Sequence, residues 1–225
     1  MVLHYSARNL SFEKKRILGI VLSSIAVLVL FLRNYEIFMN NKEFNIELAP
    51  LQVCHFANFV LLYAFIKMDK VSFSLAFSLN MLAAFLSILF ADSLANYSNI
   101  LTLRGIAYIV GHILIVVIAA WAFFNDFVHI SWSTFKKTAR LIGIIFFSSI
   151  IINNLFGVYY GKFSNYFYAH HTEKGTPLEW FWNFGTVTHI GKWEFNFIYL
   201  IFSLSLLVFV TYLFYLLANV RKQRD

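Results

Sequence analysis

Apolar residues run along this chain in long blocks, separated by short polar and charged stretches. Six blocks are long enough to cross a bilayer as helices, at residues 14–32, 50–66, 71–91, 103–124, 139–160 and 195–217. The pattern predicts an all-α fold: a polytopic membrane protein built as a bundle of six, or seven, transmembrane helices, forming one integral membrane domain over residues 1–225. The first block is preceded by Lys14-Lys15-Arg16, as a signal peptide would be. Phe31-Leu32-Arg33 follows it in place of small residues suited to cleavage, so it reads as an uncleaved first helix.

Composition agrees with that pattern. The chain is 60% hydrophobic and 13% charged, more apolar than one soluble core of 225 residues can bury. It has 27 Phe and 2 Pro, which suits long lipid-facing helices, and its single cysteine excludes an intramolecular disulfide. The net charge of +7 does not point to nucleic acid, because the basic residues cluster beside the hydrophobic blocks, as orientation signals do. Twelve Lys and Arg lie in the N-terminal tail, the loops at 67–70 and 125–140 and the C-terminal tail; six lie in the loops at 33–49, 92–104 and 161–194. That bias predicts a multi-pass protein of the cell membrane with both termini cytoplasmic. The basic flanks are also placed to touch anionic headgroups.

This orientation gathers the polar residues of three helices at one depth. Helix 2 enters from outside near Pro50, which puts Cys54 about one turn below the surface. His112 lies about 13 Å into helix 4 at the α-helical rise, and Asn153-Asn154 fall in the outer half of helix 5. Cys54 and Asn58 share a face at i, i+4, whereas His55 is turned about 100° away. Gly105, Tyr108, His112 and Ala119 form a small-and-polar stripe on helix 4; Ser149, Asn153, Gly157 and Tyr160 or Gly161 form one on helix 5; Asn80, Ala84 and Ser87 form one on helix 3. Each stripe is expected to face the bundle, since polar groups in lipid are costly. A thiol with imidazoles in reach is equipped for covalent chemistry.

The loop at 161–194 is dense in aromatics, including Tyr166, Phe167, Tyr168, Trp180, Trp182 and Trp193, and carries His170, His171 and His189. It reads either as an interfacial belt or as a lid over a lipid pocket. His170 and His171 are adjacent rather than spaced as ligands, with Glu173 nearby, so neither a metal nor another cofactor is expected.

The segment Ala49-Pro50-Leu51-Gln52-Val53-Cys54-His55-Phe56-Ala57-Asn58-Phe59 resembles the signature helix of YwaF-like bacterial integral membrane proteins, which form one superfamily with eukaryotic transmembrane protein 164. The resemblance continues at Tyr108-Ile109-Val110-Gly111-His112 and at Ile152-Asn153-Asn154-Leu155-Phe156-Gly157-Val158-Tyr159-Tyr160. It implies a lipid acyltransferase, with Cys54-His55 at the positions of an essential cysteine and histidine. Under that reading Cys54 attacks a phospholipid ester and His112 is its base, because a buried thiol needs help to ionise. Asn58 or Asn153 donates to the oxyanion. Asn154, Tyr108 and Tyr160 complete the substrate site, and His55 takes over as imidazole if His112 lies out of reach. The expected partners are membrane phospholipids or lysophospholipids. The alternative is a small-molecule-binding transport subunit without catalysis, with Gly19 and Ser23 on a docking helix and Cys54 dispensable.

Overall fold

The computed structural model describes residues 10–40, 45–89, 101–172, 176 and 178–222. Seven helices are described: α1 (Phe12–Asn40), α2 (Val53–Lys67), α3 (Lys70–Leu89), α4 (Leu103–Phe124), α5 (Trp132–Tyr160), α6 (Leu178–Asn183) and α7 (Phe197–Lys222). Between α6 and α7 lies a small antiparallel hairpin of β1 (Thr188–Ile190) and β2 (Trp193–Phe195). Helices α1, α3, α4, α5 and α7 are long and apolar enough to cross a membrane; α2 is a shorter apolar helix. The protein is thus an all-α membrane protein.

Local chemistry sets the helix ends. At its far end α2 stops at Met68, which takes a left-handed conformation at φ 55°. Asp69 then opens α3 by accepting from the Ser72 N–H at 2.7 Å. With 15 residues, α2 spans about 22 Å, less than the roughly 30 Å of a hydrocarbon core. Thr102 caps α4 through Gly105 N–H, and Ser131 caps α5 through Thr134 N–H.

Three of the expected boundaries shift. The first block continues as helix through 33–40, so Arg33 is an intrahelical residue and not a loop residue. The fifth begins at Trp132 because Ser131 supplies the cap, which places Lys136, Lys137 and Arg140 on helix as well. The segment counted as one loop at 161–194 contains α6 and the hairpin. Residues 90–100, Glu173 and Asp225 lie outside the described residues.

Helix α1 packs most extensively on α4 and then on α2, while α3 packs on α4, α2 and α5. Its inward face is the stripe Gly19, Ser23, Ala26, Leu30, Arg33 and Ile37, spaced three and four apart. A methyl group at Gly19 would overlap the Phe65 ring, so this small-residue face is filled by α2 and is not a docking face. Helix α3 contains a π turn at Ala76–Asn80, every residue of which is buried. Helix α7 is the most peripheral span.

Candidate functional site

Cys54 is the second residue of α2, so its backbone N–H belongs to the first turn, where no intrahelical acceptor exists. Its Sγ contacts Ser87 Oγ at 3.9 Å across the α2–α3 packing. The backbone carbonyl of Ser87 accepts from Tyr108 Oη at 2.8 Å, which ties α3 to α4. One turn along α4, His112 Nδ1 lies 2.6 Å from the Tyr108 carbonyl, and the two rings are 4.3 Å apart. A carbonyl can only accept, so Nδ1 carries the proton and Nε2 is the basic nitrogen. Cys54, Ser87, Tyr108 and His112 are therefore linked in succession over three helices, with the backbone carbonyls of Ser87 and Tyr108 as two of the links.

His55 points elsewhere, as its 100° rotation requires. It is 8% exposed, and its Nδ1 is buried without a hydrogen-bond partner. Arg33, 6% exposed on the inward face of α1, is close enough to act electrostatically on both His55 and His112. Asn58 donates from Nδ2 to the Cys54 carbonyl at 3.3 Å, and its Oδ1 is buried without a hydrogen-bond partner. Asn80, at the end of the π turn, has both amide atoms buried and without hydrogen-bond partners.

The two asparagines of α5 hold the following segment in place. Asn153 Oδ1 accepts from Ser164 Oγ at 2.7 Å and Tyr166 N–H at 2.9 Å, while its Nδ2 donates to the Tyr166 carbonyl at 3.1 Å. Asn154 Oδ1 accepts from the Glu194 N–H at 2.8 Å and so anchors β2. Tyr160 is 59% exposed and stacks on Phe156 at 5.5 Å, so it is outside the succession that contains Cys54.

The segment held by Asn153 lies over the start of α2. Tyr166 Oη donates to the Ile46 carbonyl at 2.7 Å, and Phe167 meets Phe56 edge-on at 5.7 Å. Tyr166 and Phe167 form a satellite core with Val53, the residue before Cys54. Burial pushes the Tyr166 hydroxyl up to about 12, so it stays a donor. Tyr199 Oη on α7 is within hydrogen-bond distance of the Tyr168 and His171 carbonyls, at 2.8 and 2.9 Å, which fixes the other edge of the segment. This part of the loop packs as a cover on the start of α2.

Arg33 was passed over as a site residue because the first block was ended at residue 32, eight residues before the helix stops. Carried to residue 40, the stripe through Gly19, Ala26 and Leu30 would have placed Arg33 on the inward face. Ser87 stood in the helix 3 stripe, but its contact with Cys54 depends on the register of α2 against α3, which no single-helix pattern reveals.

No curated protein and no solved structure matches the chain. The sequence model of the TMEM164 family matches residues 1–216, a stretch that contains every helix and side chain of the succession just described. The chain belongs to the TMEM164 family of membrane proteins.

Proposed function

We propose that this protein is a membrane-embedded lipid acyltransferase with Cys54 as nucleophile, working at the outer-leaflet boundary of the cell membrane with both termini cytoplasmic. The observation that supports it most is the succession from Cys54 through Ser87 and Tyr108 to an imidazole whose tautomer leaves Nε2 basic. A nucleophile, a means of orienting it and a fixed base are the parts acyl transfer requires. The resemblance of the Cys54-His55 segment to an acyl-transferring relative gives the reading its substrate class.

The Cys54 thiol proton passes to His112 Nε2 through a water, since the backbone carbonyls that link the two residues cannot carry a proton, and the thiolate attacks the ester carbonyl of a phospholipid. The carbon–sulfur bond forms as the carbon–oxygen bond breaks, and His112 returns the proton to the departing lysolipid alkoxide. A second lysolipid hydroxyl then reverses the sequence and removes the acyl group from sulfur. The oxyanion between these states is served by the first-turn N–H groups of α2, those of Cys54 and His55, and by the second amide hydrogen of Asn58.

The test is direct. Purified protein incubated with phospholipid is expected to gain an acyl mass at Cys54 that hydroxylamine removes, and Cys54→Ser is expected to abolish exchange with the fold intact. Serine fits the space, but its hydroxyl is far less ionised than a thiol. Full exchange by Cys54→Ser would eliminate the covalent mechanism. Ligand retention without exchange in either protein would favour the transport subunit.

A further inference from the structure

The contacts that pin α2, α3 and α4 together fix which of their residues share a level. At one end Cys54 meets Ser87, and the Ser87 carbonyl meets Tyr108. At the other, Phe65 meets Phe73 and Trp121, and Phe77 stacks on Phe123. Helices α2 and α4 therefore run antiparallel to α3. One turn in from the Cys54 level, about 5 to 6 Å at the helical rise, the three helices present Asn58, Ala84 and His112. Asn80 follows Ser87 and Ala84 on the same face of α3, one further turn in.

This short column is polar in an apolar interior. Asn58 is 3% exposed and Asn80 1%. Asn58 spends one amide hydrogen on the Cys54 carbonyl, and its Oδ1 has no hydrogen-bond partner in the protein; neither amide atom of Asn80 has one. Between them stands Ala84, fully buried and only a methyl group. Buried polar atoms without protein partners are met by ordered water where several lie close together. His112 faces the same level with Nε2, because its Nδ1 is held by the Tyr108 carbonyl. The π turn that ends on Asn80 is the irregularity expected where a helix carries function and not packing alone.

We infer that Asn80 and Asn58 hold a hydrogen-bonded pair of waters beside Ala84, the inner on the Asn80 amide and the outer on Asn58 Oδ1, and that the outer water carries the Cys54 proton to His112 Nε2. The inference rests on the reading of Cys54 as a nucleophile and supplies the place of the water that its ionisation needs. The sulfur–hydrogen bond breaks as the Cys54 proton joins the outer water, and one of that water's own protons passes to Nε2, so the water is regenerated. Asn80 touches neither sulfur nor lipid; it is a positioning residue that acts through the inner water.

Cys54 is the only cysteine, so its thiol vibration is the only one in the protein. Purified protein is moved from H2O into D2O and the growth of the S–D infrared band is followed, with thioester formation from phosphatidylcholine measured by mass on the same preparation. Asn80→Leu, close in shape and without polar atoms, is expected to slow both by about tenfold, as for loss of a hydrogen bond at the water. Asn80→Asp, which can still hold water, is expected to restore most of the rate. Asn125→Leu, just beyond the end of α4, removes an amide whose Oδ1 is also unpartnered and is expected to change neither. If Asn80→Leu does not fold by circular dichroism, Asn80→Ala replaces it with the same expectation, because an apolar cavity stays dry. Absence of S–D growth in the unmodified protein, an unchanged rate in the folded Asn80 variant, or equal slowing by Asn125→Leu overturns the inference. Slowed S–D growth with no thioester in any of the proteins keeps the water pair and removes the acyltransferase. A thioester formed at the full rate by the folded Asn80 variant does the reverse.

Discussion

The two ends of the bundle are built from the same helices and behave as opposites. At the end where α2 turns into α3, Phe65 meets Phe73 at 4.9 Å, Phe127 at 5.2 Å and Trp121 at 6.0 Å, and Phe77 stacks on Phe123 at 4.3 Å. Arg16 donates to the last carbonyls of α2, those of Phe65 and Ile66, at 3.0 and 2.8 Å, and so offsets the C-terminal dipole. At the other end, α1, α2 and α3 bury Arg33, His55, Asn58 and Asn80. There His55 Nδ1, Asn58 Oδ1 and both Asn80 amide atoms lack hydrogen-bond partners. A buried group left unpaired costs about 1–3 kcal/mol; Trp121 Nε1 and Asn125 Oδ1 carry that cost at the aromatic end too, but there the ring packing offsets it. The π turn of α3 sits between them and ends on Asn80, a placement common at functional sites. Stability and chemistry are divided along the length of the helices.

Substitutions at the two ends are expected to have opposite signatures. His112→Ala is expected to lower acyl exchange by about 10² to 10⁴, as for loss of a general base, with little change in thermal stability. Kinetics and a melting curve on the same preparation check it. Phe65→Ala is expected to do the reverse: a loss of about 3–5 kcal/mol of stability, with exchange per folded molecule retained below the new transition. A Phe65→Ala variant that melts normally but is inactive would break the comparison.

The apolar spans were legible in the sequence and the packing between them only in part. Long apolar blocks fix helices almost without regard to context, so the spans could be located from pattern alone, and Leu103–Phe124 was placed to the residue. Register between helices is a different kind of information. Cys54 meets Ser87 and not another stripe residue because of where the α2–α3 turn at Met68 and Asp69 sets the pairing. Asn153 and Asn154 were visible as polar residues at one depth, but their amides bind backbone groups 13 and 40 residues away in a loop whose path cannot be read from periodicity. The hairpin left a weak trace in Thr188-His189-Ile190 and Trp193-Glu194-Phe195 around Gly191, which takes φ 63°.

The cover over α2 offers a smaller effect that sharpens the contrast. Asn153→Ala removes the bonds to Ser164 and Tyr166 and is expected to cost about 1–3 kcal/mol. The loss should fall on the segment and not on the bundle, so limited proteolysis within 161–172 should accelerate more than global unfolding. Acyl exchange should drop with it if the segment excludes water from Cys54. Unchanged proteolysis would show that Tyr166 Oη and the Phe56–Phe167 contact hold the cover alone.

The mildest lever on the polar end is pH. Burial, with a smaller contribution from the neighbouring His171, pushes the His170 imidazole down from 6.5 to about 4, and burial also lowers His171. A base whose folded pKa is depressed is neutral in both states above pH 6.5, so the loop has its full stability there. As pH falls from about 6.5 toward 4, the released loop takes up protons that the folded loop refuses, and stability is lost across that window. Glu194 limits the loss, since its carboxylate lies 4.0 Å from His170 Nε2 and 3.8 Å from His189 Nδ1 and attracts either imidazole once it is charged. Trp180, Trp182 and Trp193 lie in the same loop and report on it. Their fluorescence is expected to shift between pH 6.5 and 4 while helical circular dichroism stays constant, and His170→Phe, which retains the stacking on Phe163 at 4.4 Å, should flatten the shift. A coincident loss of helix would mean that protonation reaches the bundle itself, and the loop could then no longer be treated as separable from the helices beneath it.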